Sequence, residues 1–350
     1  MKKTFVAMAL CSMFAASAFA AELPGVKILA TGGTIAGTAA SSTQMTGYKA
    51  GDLAIQTLID AVPAIKEIAN VSGEQIVNIG SENMTDDVLL TLAKRCNELL
   101  KQKDVKGIVI THGTDTLEET AYFLNLTVRS EKPVVLVGAM RPATAISADG
   151  PVNLLNAVKV ATSDDAKGKG VLVAMNDEIN GARDVTKTNT TTVSTFKAPE
   201  LGYLGYIADG KPQFFKESLK LHTYKSQFDV SKIKELPRVD IVYSHVNDDR
   251  GLVDAAVKLG AKGIIHAGTG NGSIHKNTTP GLAEAVKKGV VVVRSARVGN
   301  GVTTKSLQEW SDMGFLESNT LNPQKARILL QLALTQTKDP KEIQKIFDTY

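Results

Sequence analysis

Aromatic residues are scarce, at 5% of the 350 positions, with a single tryptophan. A core must then be built mainly from Val, Ile, Leu and Ala, which favours buried parallel strands over an aromatic-rich β-sandwich. Cysteine is scarcer still: of the two in the chain, Cys11 lies in the first twenty residues and Cys96 in the helix-like stretch TLAKRCNELL. A lone Cys96 closes no internal disulfide and reads as a small helical residue. The histidines at 112, 222, 245, 266 and 275 show no metal-ligand spacing. There is no G-x-S-x-G elbow, and the Gly-rich GTGNGS at 268–273 lacks both the G-x-G-x-x-G order and the GK[ST] ending of phosphate loops. Metal catalysis and Ser-His-Asp hydrolysis are disfavoured, and no metal or cofactor is expected. Neither sign of charge dominates. The formal net charge is +4, which argues against a dedicated nucleic-acid binder.

The first twenty residues form a separate object. Lys2 and Lys3 open it, an apolar run from Phe5 to Phe14 follows, and Ala18-Phe19-Ala20 is a small-x-small cleavage site. This is the pattern of a secretory signal peptide over 1–20, and it points to the periplasm. The run is too short to span about 30 Å of hydrocarbon, and no later stretch is long and apolar enough to do so.

Beyond it, short β-branched runs alternate with helical patterns. Strands are expected at Val26–Ala30, Gln75–Ile79, Gly107–Ile110, Pro133–Val137 and Gly170–Ala174. Helices are expected at Leu53–Ile68, Asp86–Lys101, Thr116–Val128 and Val152–Thr162. The rhythm breaks over the polar, Lys-rich residues 211–235, read as a linker, and resumes with strands at Val239–Tyr243, Gly263–His266 and Val290–Arg294. Helices at Ala255–Leu259, Leu282–Lys288 and Pro323–Thr335 accompany them. The alternation implies βαβ units and parallel-rich sheets. The expectation is two α/β domains, a larger N-terminal one over 21–210 and a smaller C-terminal one over 236–350.

Ligands of open parallel sheets bind outside the carboxyl ends of the strands, and polar clusters follow the strands repeatedly here. Gly32-Gly33-Thr34 follows the first, Ser81-Glu82 the second, His112-Gly113-Thr114-Asp115 the third and Ala139-Met140-Arg141 the fourth. A polar loop with Asp184, Lys187 and Asn189 lies beyond the fifth. Each has a plain reading beside a functional one. Thr34 ends a strand, or is a nucleophile that needs a nearby base. Thr114 and Asp115 cap the next helix, as Thr116 with Glu119 would in a capping box, or they position a water and bind an ammonium. Lys187 is solvated, or tunes a hydroxyl. His112 reads as a structural hydrogen-bonder.

Taken together, ILATGGTIAG (28–37) and ITHGTDTLEETAYFL (110–124) resemble the two signature segments of bacterial asparaginases. GAMRP (138–142), SADGPVNL (147–154), GARDVTKTNT (181–190) and LNPQKARILLQLALTQTKDP (321–340) carry the resemblance along the whole mature chain, and the leader points to the secreted type II members. The resemblance implies hydrolysis of asparagine to aspartate and ammonia. Thr34 would be the nucleophile, assisted by Tyr48 from a mobile loop over Thr38–Gly47. Thr114, Lys187 and Asp115 would form a second polar relay. Ser81, Glu82 and Asp115 would hold the amino-acid end of the substrate, and Ala139 would offer its carbonyl to the side-chain amide. Family members are usually tetramers, in which Asn271 and a glutamate matching Glu309 reach a neighbouring subunit's site. Glu82 stands where some members carry Gln. Two rival readings remain: a glutaminase-asparaginase with substantial glutamine turnover, and a periplasmic amino-acid binding protein with no turnover.

Overall fold

The computed structural model describes residues 22–350; the leader expected over 1–20 lies outside the described residues. Strands β1 (Gly25–Gly32), β2 (Asn70–Ile79), β3 (Val105–Thr111), β4 (Val134–Val137) and β5 (Val171–Met175) coincide with the anticipated runs. They pair in the order β2-β1-β3-β4-β5, all parallel. Helices α1 (Ile55–Asp60), α2 (Ile65–Ile68), α3 (Asp86–Leu99), α4 (Leu117–Thr127) and α5 (Gly150–Thr162) connect them. Side chains of β1 alternate between two cores. Val26, Ile28 and Ala30 join α1, α2 and α5 on one face, while Leu29 joins α3 and α4 on the other. Both faces are covered, which explains why the inner strands β4 and β5 are apolar throughout and why β1 and β3 carry buried apolar runs at 28–30 and 108–110, whereas edge strand β2 is mostly polar with no residue buried.

From β1 the chain runs to β2 on one side and then crosses to β3 on the other. That reversal opens a crevice outside the carboxyl ends of β1 and β3, where Thr34 and Thr114 follow their strands.

Two expectations change. The single helix over 53–68 is two short helices, because Pro63 lacks an N–H and pushes Val62 away from helical geometry. The polar stretch beginning at 211 opens with a strand. After β5 come β6 (Glu178–Gly181), β7 (Thr186–Lys187), β8 (Phe196–Lys197), β9 (Gly205–Ala208) and β10 (Lys211–Phe214). Of these, β6, β9 and β10 extend the large sheet beyond β5, each antiparallel to its neighbour, and β7 and β8 form a separate ribbon. Asp209 and Gly210, at φ 49° and 68°, make the tight turn between β9 and β10. Lysines and Pro212 disguise β10, and proline is tolerated there because the strand is at the edge.

The C-terminal half contains β11 (Val239–Tyr243), α6 (Gly251–Lys258), β12 (Gly263–Gly268), α7 (Thr279–Lys287), β13 (Val291–Ala296), α8 (Gln308–Asp312), β14 (Leu316–Glu317), α9 (Pro323–Leu334) and α10 (Pro340–Thr349). Its four strands are parallel and in chain order. The fold is thus two α/β units with parallel-rich sheets. Helix α9 packs on β11 and β12 and also against α4, so one apolar core runs through both units. Among the described residues no helix is long and apolar enough to cross a membrane.

Candidate active site

Glycine brings the strand ends together. Gly33 sits at φ 82°, ψ −172°, a region open almost only to glycine. A Cβ there would lie 2.3 Å from Gly113 Cα and N. A Cβ on Gly113 would in turn lie 2.6 Å from Ser81 Oγ. The turns after β1, β2 and β3 therefore stack backbone on backbone. They form one wall of a cleft of about 550 Å³, lined by Thr34, Tyr48, Ser81, Glu82, Thr114, Asp115, Met140, Arg141, Lys187 and their neighbours.

Two threonine hydroxyls face this cleft, each with its own polar partner. Thr34 Oγ1 lies 2.6 Å from the Tyr48 hydroxyl. Tyr48 is held by backbone bonds between Thr38 and Lys49 on either side of the loop, at 3.0 and 3.1 Å. The loop rests on the segment after β4, where Ile146 N–H donates to Ser42 O at 2.8 Å and Ala39 N–H to Thr144 Oγ1 at 2.9 Å. Across the cleft Lys187 Nζ donates to Thr114 Oγ1 at 2.9 Å and to Asp115 Oδ1 at 2.7 Å. Lys187 lies on the β7–β8 ribbon, where a plain loop was expected. The N–H groups of Thr34 and Thr114 donate to no protein acceptor among the described residues.

The capping expectation for this segment is corrected. Thr116 occupies the N-cap of α4, but its side chain makes no cap bond. Its hydroxyl donates instead to Ser81 O at 2.8 Å, while Asp115 N–H donates to Ser81 Oγ at 3.0 Å. These residues tie β3's turn to β2's turn rather than serving α4. His112 is structural: it is fully buried between Gly113 O and Thr120 Oγ1, at 2.6 and 2.9 Å, and burial pushes its imidazole down to about 4.

The carboxylates of Glu82 and Asp115 stand at the rim, both on exposed residues. The Ala139 side chain is fully buried, and the cleft is lined by the next two residues, Met140 and Arg141. Asp149, which had no role assigned from sequence, orients that turn. Its carboxylate accepts from Met140 N–H at 2.9 Å and Arg141 N–H at 3.0 Å. The signal available was its place in SADGPVNL, immediately before a Gly-Pro helix start. Asn271 and Glu309 are not brought to the cleft within one chain. Asn271 instead exchanges bonds of 2.8 Å with Thr304, and Glu309 lies on the exposed part of α8. Among the described residues no group of three or more His, Cys, Asp or Glu is placed to hold a metal ion.

A cleft with two hydrogen-bonded threonine hydroxyls, free N–H groups beside both and two carboxylates at its rim can bind an ammonium-bearing amide and attack its carbonyl. Comparison with known proteins agrees. Residues 25–220 match the family model described as asparaginase, N-terminal, and residues 238–347 match the glutaminase/asparaginase C-terminal domain. The chain is 61% identical to L-asparaginase 2 of Bacillus subtilis, over 94% of this chain and 87% of that protein. It is 55% identical to a probable periplasmic L-asparaginase of Haemophilus influenzae, over 98% and 99%. Among solved structures, the probable cytoplasmic L-asparaginase of Campylobacter jejuni aligns with a TM-score of 0.91 at 54% identity, covering 93% of this chain and 100% of that one.

Proposed function

The chain belongs to the asparaginase family, and on that premise we infer that its cleft hydrolyses L-asparagine to L-aspartate and ammonia, with Thr34 as the attacking group. The observation that carries this assignment is the pair of polar-partnered threonine hydroxyls at the switch point of the large sheet, Thr34 with Tyr48 and Thr114 with Lys187. Asp115 and Glu82 hold the substrate ammonium, and Ser81 fixes Asp115 through the backbone. The side-chain amide then lies between the two hydroxyls. Thr34 Oγ1 bonds to the amide carbon as its proton leaves along the hydrogen bond to Tyr48. The N–H groups of Thr34 and Thr114 stabilise the oxyanion, a contribution of about 3–4 kcal/mol for a single such donor in other hydrolases. Collapse breaks the carbon–nitrogen bond, and the nitrogen takes up the proton relayed from Thr34 through the Tyr48 hydroxyl and leaves as ammonia. Water then cleaves the ester and releases aspartate. Lys187 donates to the lone pair of Thr114 Oγ1, which turns the Thr114 proton toward the cleft.

Residues 1–20 are a leader cleaved after Ala20, and the mature protein works in the periplasm. It is a homotetramer in which Asn271 and Glu309 complete a neighbour's cleft; the exposed apolar Tyr243 and Val246, on and just after edge strand β11, support such an interface. The N-terminal unit extends past the expected end at 210 to take in strand β10 (Lys211–Phe214), the linker is shortened accordingly, and the C-terminal unit is taken as 236–350.

One experiment addresses these points together. Ammonia release by purified mature protein and by Thr34→Ala is measured with asparagine and glutamine at equal low concentrations. Intact mass and sedimentation are measured on the same samples. Asparagine turnover that vanishes in a folded Thr34→Ala is expected, with a mass lacking residues 1–20 and a tetrameric sedimentation coefficient. Substantial turnover by Thr34→Ala refutes the nucleophile. A glutamine rate equal to the asparagine rate favours the glutaminase-asparaginase reading, in which the one methylene separating the substrates, worth about 1–3 kcal/mol, is not used to discriminate. An uncleaved mass or active monomers refute the export or assembly reading.

A further inference from the structure

The segment carrying Lys187 has little of its own to hold it. β7 and β8 are two residues each. The preceding turn is closed by Asp184 and Val185 N–H groups donating to Gly181 O, at 3.2 and 3.1 Å, and is tied outward by Ala182 N–H to Val171 O and Arg183 Nε to Tyr350 O. The carbonyls of Arg183 and Val185 are taken by a group from the other half of the molecule. Lys325, in the first turn of α9, donates through Nζ to Arg183 O at 2.8 Å and also to Val185 O. Lys325 is 2% exposed, an unusual place for an ammonium. Burial pushes it down to about 8, with Glu118 and Asp184 nearby acting in the opposite sense, so it stays mainly charged at neutral pH and keeps its donors. The same turn reaches the opposite side of the relay. Gln324 Nε2 donates to Glu118 Oε1, in the first turn of α4, three residues beyond Asp115. The turn itself is rigid, because Asn322 caps it by accepting Lys325 N–H at 3.1 Å and Pro323 opens the helix.

We propose that the first turn of α9 is a bracket setting the contact between Lys187 and Thr114, with Lys325 and Gln324 as positioning residues for the relay. One arm holds the chain two residues before Lys187. The other holds the helix that begins just after Thr114 and Asp115. Helix α9 can touch both sides because it lies between the C-terminal sheet and α4. The bracket makes the C-terminal unit part of the catalytic geometry of its own chain, in addition to whatever it lends a neighbour. The proposal rests on the relay assigned to Lys187, Thr114 and Asp115 above.

The test is a set of double-mutant cycles on the full-length mature enzyme. Lys325→Met removes the donor at nearly constant length. A displacement of about 1 Å at a positioned group costs up to about 100-fold, so kcat for asparagine is expected to fall 10- to 100-fold with KM changed little. Gln324→Ala, at a partly exposed position and well tolerated by a helix, is expected to lower kcat by a smaller factor, and it decides the matter if Lys325→Met does not fold. Each is also made in a Lys187→Met background. Once Lys187 is gone its position no longer matters, so the second substitution should lower kcat by less than about twofold further. The same fold loss in both backgrounds, or a rise in KM with kcat intact, would mean that the turn only joins the two units, and would overturn the proposal. Wild-type turnover by Lys187→Met would remove the relay itself and this proposal with it, and that arm is read separately from the Lys325 and Gln324 arms.

Discussion

Gly33→Ala isolates the contact that brings the two threonines into one cleft. An alanine Cβ at 33 would sit 2.3 Å from both Gly113 Cα and Gly113 N, and 2.9 Å from His112 C. All three are backbone atoms, so no side chain can swing aside. Restoring ordinary contact requires the turns after β1 and β3 to part by roughly 1 Å, and a shift of that size at reacting groups costs about 100-fold in rate. The backbone term adds to this. At φ 82° and ψ −172° a residue bearing a Cβ is strained by about 1–3 kcal/mol. Gly289 supplies the control, since its φ is also 82° but a Cβ there meets nothing within 4 Å. Both variants are compared by ammonia release and by thermal melting. Gly33→Ala should melt lower and lose about two orders of magnitude in kcat. Gly289→Ala should melt slightly lower at full kcat. A Gly33→Ala enzyme with wild-type kcat would show that the close approach at Gly113 does not set the geometry of the site.

Tyr48→Phe removes the 2.6 Å partner of Thr34 Oγ1 and keeps the ring against Gly37. It should lower kcat by about 100- to 10,000-fold with a small change in melting temperature, the range for lost proton-transfer assistance; an unchanged kcat would exclude Tyr48 from the proton path. Stability should also fall on mild acidification. Burial holds His112 and His266 down at about 4, against 6.5 for an exposed ring, and outweighs the pull of Asp248 on His266. Between those pH values the unfolded chain binds protons that the folded chain refuses, so the stability is present in full above about pH 6.5 and is lost toward pH 4, by up to about 3 kcal/mol per ring. Urea midpoints at pH 7.5 and 4.5 measure this, and equal midpoints would contradict it.

Much of the architecture was legible because it depends on local patterning. The apolar runs at 28–30 in β1 and 108–110 in β3, with the wholly apolar β4 and β5, demand a sheet covered on both faces, whatever the rest of the chain does. Two readings changed. Pro63 divided what looked like one helix by its local backbone chemistry, and tertiary context, an edge position, made a strand of a lysine- and proline-bearing stretch at β10. The role of Thr116 also escaped local rules. A threonine three residues before a glutamate satisfies the capping pattern, yet its hydroxyl found a better acceptor on Ser81 from another strand's turn.

By itself the sequence determined which groups were available for chemistry and where along the chain they stood: glycines and hydroxyls after strand ends, in segments resembling a known family. It could not decide which of them meet. Thr34 and Thr114 share a cleft only because the strand order reverses at β1 and two glycines let backbones touch. Lys187 reaches Thr114 across 73 positions of sequence, and Lys325 reaches Val185 across 140. A lysine in an amphipathic helix reads as solvated. Lys325 is buried because α9 has a sheet on one side and α4 on the other. Spacing along a chain constrains neighbours in a turn or a strand, whereas contacts between distant segments are set by which apolar faces bury one another, and only the folded molecule states that pairing.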